Sequence, residues 1–202
     1  MKNNKISKNW IIKQHRDLYF KESKKQNYRS RSAFKLIEMD NKFKFLKKNT
    51  FLLDLGSSPG GWSQVARKKI LTGKILAVDI KQMEKINNVD FIKGDLNESE
   101  IFDKILNFFN KKIDVVISDM ATNTSGNKNL DTYRTGQLCI KSMDFATKIL
   151  NKEGVFVSKL FMGSIFEEIN KNAKKSFRKV VKYKPLSSRK ESKELYIYCK
   201  GI

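Results

Sequence analysis

The chain has 202 residues, with 42 basic against 21 acidic side chains and a formal net charge of +21. That length suits one domain with a sizeable core, and no run of eighteen apolar residues argues for a membrane span. The N-terminus lacks the apolar stretch of a secretion signal, so a cytoplasmic location is expected. A single histidine, His15, and two widely spaced cysteines, Cys139 and Cys199, offer no metal site and read as reduced, buried thiols.

The charge is uneven. Residues 1–50 carry 15 basic and 4 acidic side chains, residues 51–166 carry 16 and 13, and residues 167–202 carry 11 and 4. A near-neutral centre with basic flanks predicts a polyanionic partner, a nucleic acid. A compositional bias toward lysine and asparagine also raises the charge, but it leaves the balanced centre unexplained. No long basic amphipathic helix points to a membrane surface. No apolar stripe is left over, so a monomer is expected.

In chain order, residues 1–27 read as a basic, flexible and partly helical arm, with Trp10, Tyr19 and Phe20 available to stack on bases or anchor the arm. Residues 28–202 read as one domain. A helix over 28–38 has Ser30 or Ser32 as its cap and Phe34, Leu36 and Ile37 on its inner side. A strand over 50–55 then runs into Asp54-Leu55-Gly56-Ser57-Ser58-Pro59-Gly60-Gly61-Trp62 and a helix over 61–70. Glycines let the backbone approach a ligand, and the helix start offers unpaired N–H groups. The spacing is not the G-x-G-x-x-G of a dinucleotide site. It suits S-adenosylmethionine (SAM), which has no phosphate but has a sulfonium, an amino-acid tail and an adenosine.

Strands follow at 74–79 and 89–93, a helix at 99–110, a strand at 113–118, a polar loop at 120–129 and a long helix at 131–150. A strand at 155–161, a helix at 164–174 and strands at 177–184 and 194–199 complete the chain. The alternation predicts an α/β fold with a doubly wound, mostly parallel sheet. The short return into the last strand makes that strand antiparallel.

Acids sit where strands end: Asp79, Asp95 and Asp119, besides Asp54. Each alone reads equally as a cap or turn residue. Together, at the carboxyl ends of parallel strands, they read as a ligand site. Asp79 suits ribose hydroxyls and Asp95 an adenine amino group. Lys159 interrupts the apolar strand Val155-Phe156-Val157-Ser158-Lys159-Leu160-Phe161, where a lysine is costly unless paired or snorkelling to solvent. Asp119 ends the neighbouring strand. Lys35 and Glu194, read alone, are surface charges.

The segments Arg29-Ser30-Arg31-Ser32-Ala33-Phe34-Lys35-Leu36, Asp54 to Gln64, Gly94-Asp95, Ser118-Asp119-Met120-Ala121, Lys159-Leu160-Phe161 and Ser187-Ser188-Arg189 through Tyr196 resemble, in order, the FtsJ/RrmJ family of ribose 2′-O-methyltransferases. The resemblance implies a Rossmann-like SAM-dependent methyltransferase fold with a seven-stranded sheet and helices on both faces. It implies a catalytic tetrad of Lys35, Asp119, Lys159 and Glu194, with Lys159 as general base. It implies SAM contacts from Gly56, Pro59, Gly60, Gly61, Trp62, Asp79, Asp95 and Asp119, and no metal. Members most like this chain methylate a uridine ribose in the aminoacyl-site loop of 23S rRNA on the large ribosomal subunit; others act on tRNA. A non-catalytic RNA-binding assembly factor is the reading from a different class. Arg29, Arg31, Arg189 and Lys190 are the expected RNA contacts. One departure stands out: the family usually has proline after Asp119-Met120-Ala121, and this chain has Thr122, which should loosen that loop.

Overall fold

A computed structural model describes residues 17–122, 125–189 and 191–202. Seven strands form one sheet, and they are flanked by helices on both faces. The order is β3-β2-β1-β4-β5-β7-β6, with β1 Leu52–Leu55, β2 Ile75–Asp79, β3 Asp90–Lys93, β4 Ile113–Ser118, β5 Leu150–Phe161, β6 Lys179–Tyr183 and β7 Glu194–Lys200. β1 through β5 pair in parallel. β7 runs antiparallel to both of its neighbours, β5 and β6. The expected doubly wound sheet and reversed last strand are therefore present.

The central strands are largely buried and mostly apolar, as a parallel sheet requires, the polar exceptions being Asp54 in β1 and Asp114 and Ser118 in β4. On one face pack α4 Ser99–Phe109, α5 Lys128–Ile149 and α6 Phe166–Ser176. In α4, Ile101, Ile105 and Phe109 recur every four residues and are the buried ones. Each such side chain contributes about 1.5–3 kcal/mol by leaving water. On the other face lie α2 Ala33–Phe43 and α3 Gly61–Lys69, around Leu36, Met39, Trp62 and Tyr196.

Three elements are displaced most from expectation, the first being the helix expected over 28–38, which is α2 Ala33–Phe43, with Ser32 at its N-cap making no side-chain cap bond. The long helix starts at Lys128, because Asn127 caps it by accepting from the N–H groups of Asn129 and Leu130. β5 starts at Leu150, which pairs with Ile113 ahead of a register shift. The arm is helical in part, as expected. Residues 1–16 lie outside the described residues, but Leu18–Lys25 form a helix, α1, held on the domain. Asp17 caps it and pairs with Arg31 and Arg189, while Tyr19 packs on Phe34 at 5.5 Å. Among the described residues no helix is long and apolar enough to cross a membrane.

Candidate active site

The sheet reverses its winding between β1 and β4, and the site opens at the carboxyl ends of these strands, where such a crevice forms. A cleft of about 430 Å³ lies there, lined by Gly56, Asp79, Asp95, Asp119, Met120 and Leu138 among others. The chain leaves β1 at Gly56 with φ +72°, and a Cβ there would stand 2.4 Å from Met120 Cγ. Gly56 and Ser57 each donate their N–H to the Val78 carbonyl, at 2.9 and 3.2 Å, which fastens the turn to β2.

The cleft is acidic in an otherwise basic protein. Asp79 accepts from the N–H groups of Ser58 at 2.9 Å and Lys81 at 2.7 Å, and so ties the turn to the loop after β2. Asp95 Oδ1 is occupied by the backbone and side chain of Asn97. Lys141, reaching down from α5, donates to Asn97 Oδ1 at 2.6 Å across the cleft's far end. Beneath the turn Asp54 is fully buried. Its Oδ2 accepts from Ser63 Oγ at 2.6 Å, and its Oδ1 is without a partner. Burial pushes the Asp54 carboxyl up to about 7, helped by the negative charges of Asp119 and Asp79 and opposed by the Ser63 hydrogen bond. Ser57 Oγ is a second buried polar atom without a partner.

Four of the expected cofactor contacts belong to the turn beside the cleft. Pro59, Gly60, Gly61 and Trp62 shape the turn but do not line the cleft. The Trp62 indole is 2% exposed, donates its N–H to the Ser32 carbonyl at 2.9 Å and packs on Tyr196 at 5.6 Å. Its side chain therefore joins α3 to α2 in the core. Gly61 lets Ser30 pass, since a Cβ would stand 2.2 Å from Ser30 Oγ.

Lys35, Asp119, Lys159 and Glu194 come together. Glu194 Oε1 meets Lys35 Nζ at 2.6 Å, and its Oε2 meets Lys159 Nζ at 3.3 Å. Lys159 Nζ also meets Asp119 Oδ1 at 3.2 Å. Register explains the meeting: Lys159 is directly opposite Tyr196, and Glu194 is two residues before Tyr196 on the same strand face. Asp119 arrives from the end of β4, and Lys35 comes down from α2. All four side chains are between 8% and 17% exposed, so they are shielded yet reachable.

Two positive and two negative charges balance. Burial by itself would lower the Lys159 pKa, but Asp119 and Glu194 outweigh it and the net shift is upward. Burial would raise Glu194, but Lys35, Lys159 and then Ser188 hold it below the usual carboxylate range.

Sequence reasoning did not assign two members of this cluster. Tyr196 is fully buried and donates its hydroxyl to Asp119 Oδ1 at 2.7 Å. Burial, with Asp119 and Glu194 nearby, drives its pKa well up, so it is a permanent donor. Its place two residues beyond Glu194 was a usable signal. Ser188 donates to Glu194 Oε1 at 2.9 Å; it lies in the family-like segment Ser187-Ser188-Arg189, which marks it without a role.

The expected RNA residues divide. Arg31 and Arg189 converge on Asp17 beside the tetrad, and Arg31 also donates to the Ser187 carbonyl. Arg29 is directed instead to the turn after β1 and the loop after β2. Its guanidinium donates to the carbonyls of Pro59 at 3.2 Å, Glu84 at 2.7 Å and Lys85 at 2.9 Å. Lys190 lies outside the described residues. Thr122, where the family usually has proline, shares a 3.4 Å hydroxyl contact with Thr135 of α5.

The family model of FtsJ-like methyltransferases matches residues 28–202. A protein named Ribosomal RNA large subunit methyltransferase E from Pelagibacter ubique is 51% identical over 200 residues, covering 99% of this chain and 98% of its own length. Its namesake in Francisella philomiragia is 42% identical over 204 residues, covering 100% and 99%. The crystal structure of a ribosomal RNA methyltransferase from Plasmodium falciparum superposes with a TM-score of 0.78 at 34% identity, over 87% of this chain and 98% of that one. An acidic cleft at the switch point, a Lys–Asp–Lys–Glu cluster beside it and this agreement along the chain lead to one assignment: the protein belongs to the FtsJ-like methyltransferase family.

Proposed function

We propose that the protein uses SAM to methylate a ribose 2′-hydroxyl of large-subunit ribosomal RNA, a uridine of the aminoacyl-site loop of 23S rRNA. Relatives that match along nearly their whole length carry the name of a large-subunit rRNA methyltransferase. A cytoplasmic site of action follows from that substrate. The observation that carries the chemistry is Asp119, which lines the cleft and also accepts from Lys159. The methyl donor and the proton acceptor share one carboxylate.

The cleft suits SAM. The carboxylates of Asp79, Asp95 and Asp119 favour a cation and ribose hydroxyl donors, and they repel the phosphates of a dinucleotide. The unpaired Asp54 Oδ1 and Ser57 Oγ, beneath the turn, leave hydrogen-bonding capacity there. When bound, SAM supplies an electrophilic methyl group on a sulfonium.

The chain's own residues do the rest. A 2′-hydroxyl is a poor nucleophile and must lose its proton as it attacks, and Lys159 Nζ is the acceptor. Asp119, fixed by Tyr196, and Glu194, fixed by Lys35, hold that nitrogen between them. The upward shift means that Lys159 rests as an ammonium at neutral pH, so the rate rises with pH as the neutral amine becomes available. Alignment of hydroxyl and methyl supplies much of the remaining acceleration.

The test offers methyl-labelled SAM with large subunits from cells lacking such an enzyme, deproteinised 23S rRNA, and tRNA. Alkali-resistant label in the subunits is expected. The Lys159→Ala variant should transfer at least ~10²-fold more slowly while still binding SAM. Label in tRNA alone replaces the substrate, and undiminished turnover in Lys159→Ala removes the base.

A further inference from the structure

Glu194 is the only tetrad member that touches both lysines, so its orientation sets the whole cluster. Its Oε1 takes a third contact, the Ser188 hydroxyl at 2.9 Å, and this hydrogen bond is buried. Resting on the function proposed above, we propose that Ser188 is a positioning residue for methyl transfer, holding the Glu194 carboxylate between Lys35 and Lys159.

The loop that carries Ser188 is built to keep that hydroxyl in place. Glu38 accepts from two consecutive N–H groups, Leu186 at 2.6 Å and Ser187 at 2.9 Å. The Ser188 N–H closes a turn onto the Pro185 carbonyl at 3.0 Å. Arg31 takes the Ser187 carbonyl. Glu38 is on α2, one turn beyond Lys35, so one helix fixes both the loop and the first lysine of the cluster. The next residue, Arg189, is drawn to Asp17 with Arg31 at the basic face. Two consecutive residues therefore serve the substrate side and the tetrad side.

The chemistry predicts a direction. Charged or titratable groups that face Glu194 are Lys35 from α2, Lys159 from β5, Tyr196 from its own strand, and Arg31, while Lys159 itself also faces Asp119 at the end of β4. Ser188 competes with the lysines for the same carboxylate. Without it, Glu194 pairs more strongly with the Lys159 ammonium, and the amine needed as base is released only at higher pH.

The experiment measures methyl transfer to large subunits as a function of pH, with the full-length protein and its Ser188→Ala and Ser188→Thr variants. Calorimetry with S-adenosylhomocysteine and thermal melting accompany it. Ser188→Ala is expected to lower kcat about tenfold near neutral pH. The rising limb of its pH profile should move to higher pH, with both KM values and the calorimetric affinity within about twofold of the parent. Ser188→Thr, which keeps the hydroxyl, should restore the limb. An unmoved limb overturns the proposal, whether kcat is unchanged or falls together with the melting temperature. If the parent protein labels no RNA, the proposed function fails and this inference falls with it. If the parent labels subunits and Ser188→Ala behaves identically, only this inference fails.

Discussion

Asp54 and Lys159 are both buried ionisable residues near the carboxyl ends of strands, and their environments treat them oppositely. Lys159 faces two carboxylates that favour its charge. Asp54 has one hydroxyl and two neighbouring acids that oppose its charge, and its pKa lies near 7. The sign of its effect on stability follows. A carboxyl raised above its unfolded value stabilises the fold while both states are protonated or the folded one alone is. That contribution is full below about pH 4 and is lost as pH rises to about 7. Asp54→Asn keeps an acceptor for Ser63 but cannot ionise. We expect the melting temperature of the ligand-free parent to fall relative to this variant between pH 5 and 7 and to run parallel above. Parallel curves throughout would mean that Asp54 titrates normally.

At the scale of elements, the turn after β1 is held from outside by the segment before α2. Arg29 binds three carbonyls that belong to the turn and to the loop between β2 and β3. Its N–H also donates to Gln64 of α3 at 2.8 Å. Gly60, with φ +111°, holds a conformation that strains any other residue, and Arg29 Nη1, Ile86 Cδ1 and Met83 Sδ would crowd a Cβ there at 2.9, 3.0 and 3.1 Å. Arg29→Ala should therefore weaken SAM binding about tenfold or more, the worth of hydrogen bonds from a charged donor. Its affinity for RNA should hardly change. The opposite pattern, weakened RNA and intact SAM affinity, would return Arg29 to the substrate face. The sequence singles out the arginine as an RNA contact, and its bonds to the turn are not legible there. Its partners are 30 to 56 positions away, and only the packed fold brings them near.

On the scale of the whole molecule, the charge of +21 surrounds an acidic cleft. Under the proposed function the two features serve different ligands: the cleft would take the SAM cation, and the basic flanks would take phosphates. RNA affinity should then fall steeply with salt, by about a thousandfold between roughly 50 and 200 mM for some six phosphate contacts. A filter-binding series with an rRNA fragment measures the slope, and a flat response would assign the excess lysine to composition alone. The helix α1 adds to the basic face through Asp17, which gathers Arg31 and Arg189. The arm is partly helical, as expected, and Tyr19 anchors it on Phe34, but a polar, lysine-rich stretch gives no local sign of the ion pairs that dock it.

Much was decided by the sequence alone. Apolar runs of strand length alternating with helical periods determine a doubly wound sheet, and a glycine turn after the first strand determines where its ligand goes. These are local signals, repeated along the chain. The resemblance also named the tetrad, but residues 35, 119, 159 and 194 meet only through strand order and register, which set Lys159 against Tyr196 and bring the end of β4 beside β5. Tertiary structure alone decided that Trp62 is core, that Arg29 serves the turn and that Ser188 reaches Glu194. In each case the partner is distant in sequence or lies on another element, and a hydrogen bond leaves no periodic trace in the chain that makes it.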